Sequence, residues 1–127
     1  MLSEEKNNQP LDLSYLREIS GDSHEFMMEM IDMFKQQTPI YMADLKQALV
    51  NQDWLKVSSC AHKIKPTFAY VGREDAKAHM QVMEHDARDQ KDLDGLETKF
   101  DQINDFIIVL NKQLDEAKAE LQKNIML

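Results

Sequence analysis

One histidine in this sequence, His62, has neighbours that could support chemistry on an exposed face of a helix. It lies in the segment from Ser58 to Gly72, among small side chains and lysines. Helical spacing of about 100° per residue places its imidazole about 140° from the apolar face of the same helix. That apolar face is formed by Val57, Ala61, Ile64, Phe68 and Val71. The spacing therefore predicts an imidazole that points into solvent and is open to the surface of another protein.

Phosphoryl transfer is the chemistry that these residues favour. A neutral imidazole is a nucleophile near pH 7, and a transferring phosphoryl group needs in-line positioning and cations around its oxygens. Lys65 supplies one cation a turn after His62, and Lys63 adds positive charge on the other flank. The sequence contains no Gly-rich phosphate loop, so we expect the chain to accept a phosphoryl group but not to take one from ATP. A magnesium ion and an aspartate must then come from a partner.

Two other interpretations of the histidines remain open at this level. A lone helical histidine is commonly an ordinary surface residue, and geometry alone leaves this interpretation open for His62. We expect it of His24, His79 and His85. Metal binding has little support, because the chain has one cysteine and no Glu-x-x-His pair of the kind found in di-metal helical bundles.

Composition excludes several classes of function. The 127 residues carry a formal net charge of -8, which disfavours binding to nucleic acid and to anionic membrane surfaces. No apolar run approaches the roughly 20 residues of a membrane span. Cys60 is the only cysteine, so an intramolecular disulfide is impossible and a reducing compartment is favoured. The sequence predicts a cytoplasmic protein.

The apolar periodicity predicts helices and gives little support to strands. Residues 1–10 are polar and are expected to form a flexible tail, and residues 11–127 a single domain. A short helix from Leu11 should end near Gly21, and Asp22 or Ser23 should cap the next. Thr38-Pro39 predicts a kink or a restart within that second helix.

Cap residues and the spacing of apolar residues predict three further helices. Asp53 should cap a helix that runs to Gly72, and another should begin near Glu74 and end at the polar segment 89–92. The last helix, from Leu93, carries apolar residues at spacings of three and four as far as Leu121. We therefore predict an all-α fold: an antiparallel four-helix bundle with a short extra N-terminal helix and a long C-terminal helix.

The residues around His62 also resemble a known family. The run from Ala61 to Lys65, with Gly72 ten residues after the histidine, is similar to the signature of histidine-containing phosphotransfer (HPt) domains. The Asp53-Trp54 helix start lies at the family's distance from the histidine. The stretch from Met83 to Arg88 resembles the family's Leu-Glu-x-x-Ala-Arg pattern on the next helix. The resemblance covers roughly Leu13 to Leu114.

The resemblance implies a role for each matching residue. His62 would accept the phosphoryl group, Lys65 would steady its oxygens, and Glu84 would be a polar neighbour from the adjacent helix. Pro66 departs from the family, which most often has glycine at this position, and this places partner choice and transfer rate in question. The surface expected to dock a partner comprises Ser58, Ser59, Lys63, Pro66 and Ala69.

The implied function is a multistep phosphorelay carrier rather than an enzyme. Its partners would be receiver domains of hybrid histidine kinases and of response regulators. Receiver domains would supply Mg²⁺, and the chain, a monomer, would need no cofactor or metal of its own. The alternative is a non-catalytic adaptor that binds receiver domains or other helices without becoming phosphorylated.

Overall fold

Helices make up most of the residues that the structure describes. The structure, a computed structural model, describes residues 2–126 and the side chains of residues 2–124. Within that part there are six α-helices and no strand, so the predicted all-α class is confirmed. Their bounds are Glu4–Asn7 (α1), Ser14–Ile19 (α2), His24–Val50 (α3), Trp54–Tyr70 (α4), Glu74–Asp89 (α5) and Leu96–Met126 (α6), with a 3₁₀ turn at Leu93–Gly95 before α6.

The four long helices, α3 to α6, form the predicted antiparallel bundle. Helix α4 packs between α3 and α5, and α6 closes the ring by packing on α3 and α5. Phe68 lies at the centre, with its ring edge-on to Phe34 at 6.0 Å and to Phe106 at 5.8 Å between centroids. Three helices therefore meet at one aromatic side chain of α4, the helix that carries His62.

Local sequence signals account for the helix starts. The side chain of Ser23 accepts a hydrogen bond from the amide of Phe26 at the start of α3. Asp53 does the same for the amide of Lys56 at the start of α4, as predicted. Such caps satisfy amides that have no partner within the helix.

The sequence predicts a kink or a restart at Thr38-Pro39, and the restart is wrong, because α3 runs through this position as one helix. Proline removes only one backbone donor. The buried side chains of Phe34, Thr38 and Met42 continue one face of the helix across it. Packing of that face against the bundle outweighs the local preference of the proline.

The N-terminal segment differs from the flexible tail that its composition predicts. Residues Glu4–Asn7 form a helix, and Arg73 holds the segment from the α4–α5 turn. Arg73 is 1% exposed, and its guanidinium donates to the carbonyl of Ser3 and to Oδ1 of Asn7 at 3.2 and 2.8 Å. A buried guanidinium needs acceptors for its donors, and this segment supplies two of them.

The contacts of Arg73 with the N-terminal segment form an anchor, and the side chains of Asp75 and Gln113 complete it. Asp75 accepts from Nε and Nη2 of Arg73 at 3.0 and 2.8 Å, and from the amide of Ser3 at 2.8 Å. Gln113 of α6 accepts from Nη1 of Arg73 and donates to the carbonyls of Lys6 and Gln9. The anchor therefore links the N-terminal segment, α5 and α6.

We expect Asp75→Asn to destabilise the fold by about 3 kcal/mol at pH 7, because it leaves a buried guanidinium without its charged partner. Burial raises the pKa of Asp75, but hydrogen bonds from Arg73 and the Ser3 amide outweigh it and lower that pKa to about 2. The folded-state pKa lies below the unfolded one. The stabilisation from ionised Asp75 is therefore present at neutral pH and is lost as the pH falls through 2.

Urea unfolding of the wild type and of Asp75→Asn between pH 7 and pH 2 tests this expectation. The difference between the two should shrink by about 2 kcal/mol across that range. Glu74→Gln, a change at the neighbouring exposed carboxylate, serves as the control and should have little effect. A difference for Asp75→Asn that does not depend on pH would contradict the assignment.

Among the described residues, no helix combines the length and the apolar character needed to cross a lipid bilayer.

Candidate functional site

Helix α4 presents His62 on the face that points away from the bundle. Val57, Ala61, Ile64 and Phe68 are buried against the core, which orients the helix. His62 follows Ala61 directly, and its side chain is 68% exposed, as the helical spacing predicts. The imidazole therefore lies on an open surface rather than in a cleft.

Glu84 of α5 joins His62 and Lys65 into one cluster. Its Oε2 lies 2.8 Å from Nδ1 of His62, and its Oε1 accepts from Nζ of Lys65 at 2.8 Å. The Glu84 side chain is 12% exposed, so α5 holds it firmly beneath the imidazole. The structure thus brings together the three residues that the resemblance named for the reaction.

The charge on Glu84 determines which nitrogen of His62 is free. Burial opposes ionisation of this carboxyl, but hydrogen bonds from Lys65 and His62 outweigh it and hold its pKa below the ordinary value. An ionised carboxylate can only accept hydrogen bonds, so Nδ1 of His62 must donate. In the neutral imidazole, Nε2 then carries the lone pair. Nε2 is therefore the nitrogen whose lone pair is free to react.

The residues expected to dock a partner do not all share one environment. Ser59 and Pro66 are exposed, and Ser58 and Ala69 are half-buried, on the same side of α4 as His62. Lys63 is exposed but turns the other way, and its ammonium lies 5.4 Å from the ring centroid of Tyr41 on α3. Lys63 and Lys65, which both follow His62 in the sequence, therefore lie on opposite sides of α4.

Pro66 lies inside α4, which continues to Tyr70. Proline has no amide hydrogen, so the carbonyl of His62 lacks its usual partner four residues on. The Pro66 ring is exposed and compact, and it leaves the imidazole accessible.

Tyr41 of α3 contacts Lys63 at this surface, and the sequence did not predict this contact. An aromatic residue on another helix, 22 positions before Lys63, gives no local sign that the two side chains will meet. A cation over an aromatic ring is held in a preferred position, so Tyr41 fixes the direction of Lys63.

The other histidines have different surroundings. The expected surface position is wrong for His79, which is buried. Its Nε2 lies 2.8 Å from the carbonyl oxygen of Lys99, which links α5 to α6. Burial lowers the pKa of His79, which favours the neutral ring at this position. His24 and His85 are half-exposed, at the start of α3 and on α5. In the part of the chain that the structure describes, no group of three or more His, Cys, Asp or Glu side chains could hold a metal ion.

Comparison with known proteins identifies one family. The family model described as "Hpt domain" matches residues 29–122, which begin within α3 and end within α6. This range includes the cluster of His62, Lys65 and Glu84. No curated protein and no solved structure matches the chain.

Proposed function

Because this chain belongs to the Hpt domain family, we propose that it accepts a phosphoryl group on His62 and passes it on between receiver-domain aspartates in a multistep phosphorelay. The observation that carries the proposal is the cluster of His62, Lys65 and Glu84. It leaves Nε2 of an exposed imidazole free, beside a lysine that can neutralise phosphoryl oxygens.

The proposed transfer begins with attack by Nε2 of His62 on the phosphorus of a receiver aspartyl phosphate. The new N–P bond forms as the P–O bond to the aspartate breaks, and the electron pair of that bond returns to the aspartate as a carboxylate. Positive charge develops on the imidazole, and the Nδ1–H donated to the Glu84 carboxylate stabilises it. Transfer to the next aspartate reverses these steps.

In this reaction Lys65 would also stabilise the negative charge of the phosphoryl group. In the structure its ammonium is bound to Glu84, one helical turn from His62. Reorienting toward the phosphoryl oxygens would place a cation where negative charge is carried during transfer. A Mg²⁺ ion bound by the receiver would supply further positive charge there.

The proposed partners are receiver domains of hybrid histidine kinases and of response regulators. The chain would act as a monomeric phosphocarrier without a kinase activity of its own, because it is itself the group that is phosphorylated and regenerated. A single half-buried thiol, Cys60, is compatible with a reducing compartment, and we place the carrier in the cytoplasm.

Incubation with receiver domains phosphorylated by phosphoramidate tests the proposal. Labelled phosphate should move from at least one receiver to this protein, in a form that is stable to alkali and labile to acid. A chain that binds a phosphorylated receiver but takes up no label would be an adaptor, and that result would overturn the proposal.

Glu84→Ala and Glu84→Gln separate the charge of this residue from its role in positioning. Alanine removes the acceptor for Nδ1–H, so we expect both tautomers of His62 to be populated and phosphoryl uptake to slow by about tenfold or more. Glutamine keeps an acceptor oxygen and should retain most of the Nδ1–H tautomer. The imidazole ¹⁵N shifts report the tautomer, and single-turnover transfer reports the rate. Unchanged shifts in Glu84→Ala would contradict a positioning role.

A further inference from the structure

The second residue of α4, Leu55, is a large apolar side chain that packing does not explain. It is 79% exposed, the highest fraction among the large apolar side chains that the structure describes. The core face of α4 begins two residues later, at Val57. Isolated exposed apolar residues are common, so its position relative to the site decides whether it has a function.

Leu55 shares a helix face with His62. The residues Leu55, Ser59, His62, Pro66 and Ala69 follow one another at spacings of four, three, four and three. Such spacing places side chains on one side of an α-helix. The side chains between Leu55 and His62 on this face are serines, so a partner surface meets no large group between the leucine and the imidazole.

The distance from Leu55 to His62 lies within the reach of one interface. Seven residues of helix span about 10.5 Å along the axis. A standard protein interface buries about 800 Å² on each partner, which corresponds to a disc of roughly 16 Å radius. A protein that docks with its centre over His62 therefore covers Leu55 as well.

The charge of α4 indicates what kind of surface fits. This helix contains three lysines and no acidic residue, in a chain whose net charge is -8. Lys56 is exposed beside Leu55, whereas Lys65 is paired with Glu84 and Lys63 lies over Tyr41 on the opposite side of α4. An acidic partner surface would be attracted to the Leu55 end of this helix and repelled by much of the rest of the molecule.

We propose that Leu55 is a specificity-determining residue that inserts into an apolar socket on the receiver domain, about 10 Å from the aspartate that exchanges the phosphoryl group. The inference rests on the proposed function, because it takes the receiver to be the protein that docks over His62. It adds that receivers with an apolar socket ringed by carboxylates are preferred. Those with a polar or filled surface at that point transfer poorly.

The test compares Leu55→Ala and Leu55→Asp with the wild type across the receiver domains of the same genome, each phosphorylated by phosphoramidate. For the receivers that serve the wild type best, Leu55→Ala should raise KM about tenfold and Leu55→Asp more, with kcat within about twofold. Leu55→Met should restore most of the affinity. Because the side chain is exposed, the variants should fold, which circular dichroism can verify.

Ile108 provides a matched control. It is 69% exposed and lies on α6, whose neighbours in the bundle are α3 and α5 rather than α4. Ile108→Ala and Ile108→Asp should leave KM and kcat unchanged.

The possible outcomes distinguish a failure of the proposed phosphotransfer function from a failure of the role proposed for Leu55. If no receiver transfers its phosphoryl group to the wild type, the proposed function fails. If the wild type is phosphorylated and the Leu55 variants keep its KM for every receiver, the inference alone is overturned. A wild-type dimer that Leu55→Asp converts to a monomer would also overturn it, because the side chain would then serve a second copy of this chain.

Discussion

His62→Gln should abolish phosphoryl uptake from every receiver domain that phosphorylates the wild type. The amide of glutamine can still donate a hydrogen bond to Glu84, and its size is close to that of the imidazole. It has no nitrogen lone pair in place of Nε2, so no N–P bond can form. Labelled phosphate on the protein, measured after single-turnover transfer, should fall to the background seen without a receiver.

His85→Gln is the matched control for this variant. His85 is a half-exposed histidine on α5, one residue after Glu84, and no hydrogen bond to His62 or Lys65 involves it. Its replacement should leave uptake near the wild-type level. Label on His62→Gln at the wild-type rate would show that another residue is phosphorylated. If the wild type itself takes up no label from any receiver, and His62→Gln binds receivers as well as the wild type does, the adaptor interpretation is supported instead.

Gly72→Ala should cause the largest loss of stability from a single added methyl group, about 2 to 5 kcal/mol. Gly72 has φ +80°, a conformation that costs a residue with a side chain about 1–2 kcal/mol. A Cβ at this position would overlap the carbonyl oxygen of Asp12 and lie 2.8 Å from its carbonyl carbon. Backbone atoms cannot rotate away, so the N-terminal segment must move, which adds about 1–3 kcal/mol.

Gly21→Ala separates the two contributions. Gly21 has φ +62°, but nothing lies within 4 Å of the position that its Cβ would take. This variant should lose only the stability that the positive φ costs a residue with a side chain, about 1–2 kcal/mol. Chemical denaturation of both variants gives the comparison. Equal losses at Gly72 and Gly21 would show that the contact with Asp12 has no energetic consequence.

The helical periodicity was sufficient to predict the bundle. Each long helix has apolar residues at spacings of three and four, and Ser23 and Asp53 cap the helices that follow them, so local rules locate most helix boundaries. The course of α3 through Pro39 could not be predicted in this way. A proline has the same local effect wherever it occurs, and only the burial of Phe34, Thr38 and Met42 shows that packing outweighs it.

Local sequence rules could not predict the anchored structure of the N-terminal segment either. Its polar composition is typical of a tail, and nothing within residues 1–10 indicates a partner. The partners are Arg73 and Gln113, which are 66 or more positions away from the groups that they bind. A buried arginine and the backbone it binds are recognisable only once the bundle has brought them together.

The sequence by itself determined the position of His62 and the proximity of Lys65, because both lie on one helix and helical geometry fixes their separation and direction. Only the tertiary structure decided which nitrogen of the imidazole is free. That choice depends on Glu84, which approaches from α5 and accepts from Nδ1. The packing of α3 against α4 likewise brought Tyr41 within reach of Lys63. Short-range geometry is encoded residue by residue, whereas contacts between helices depend on how their apolar faces pack.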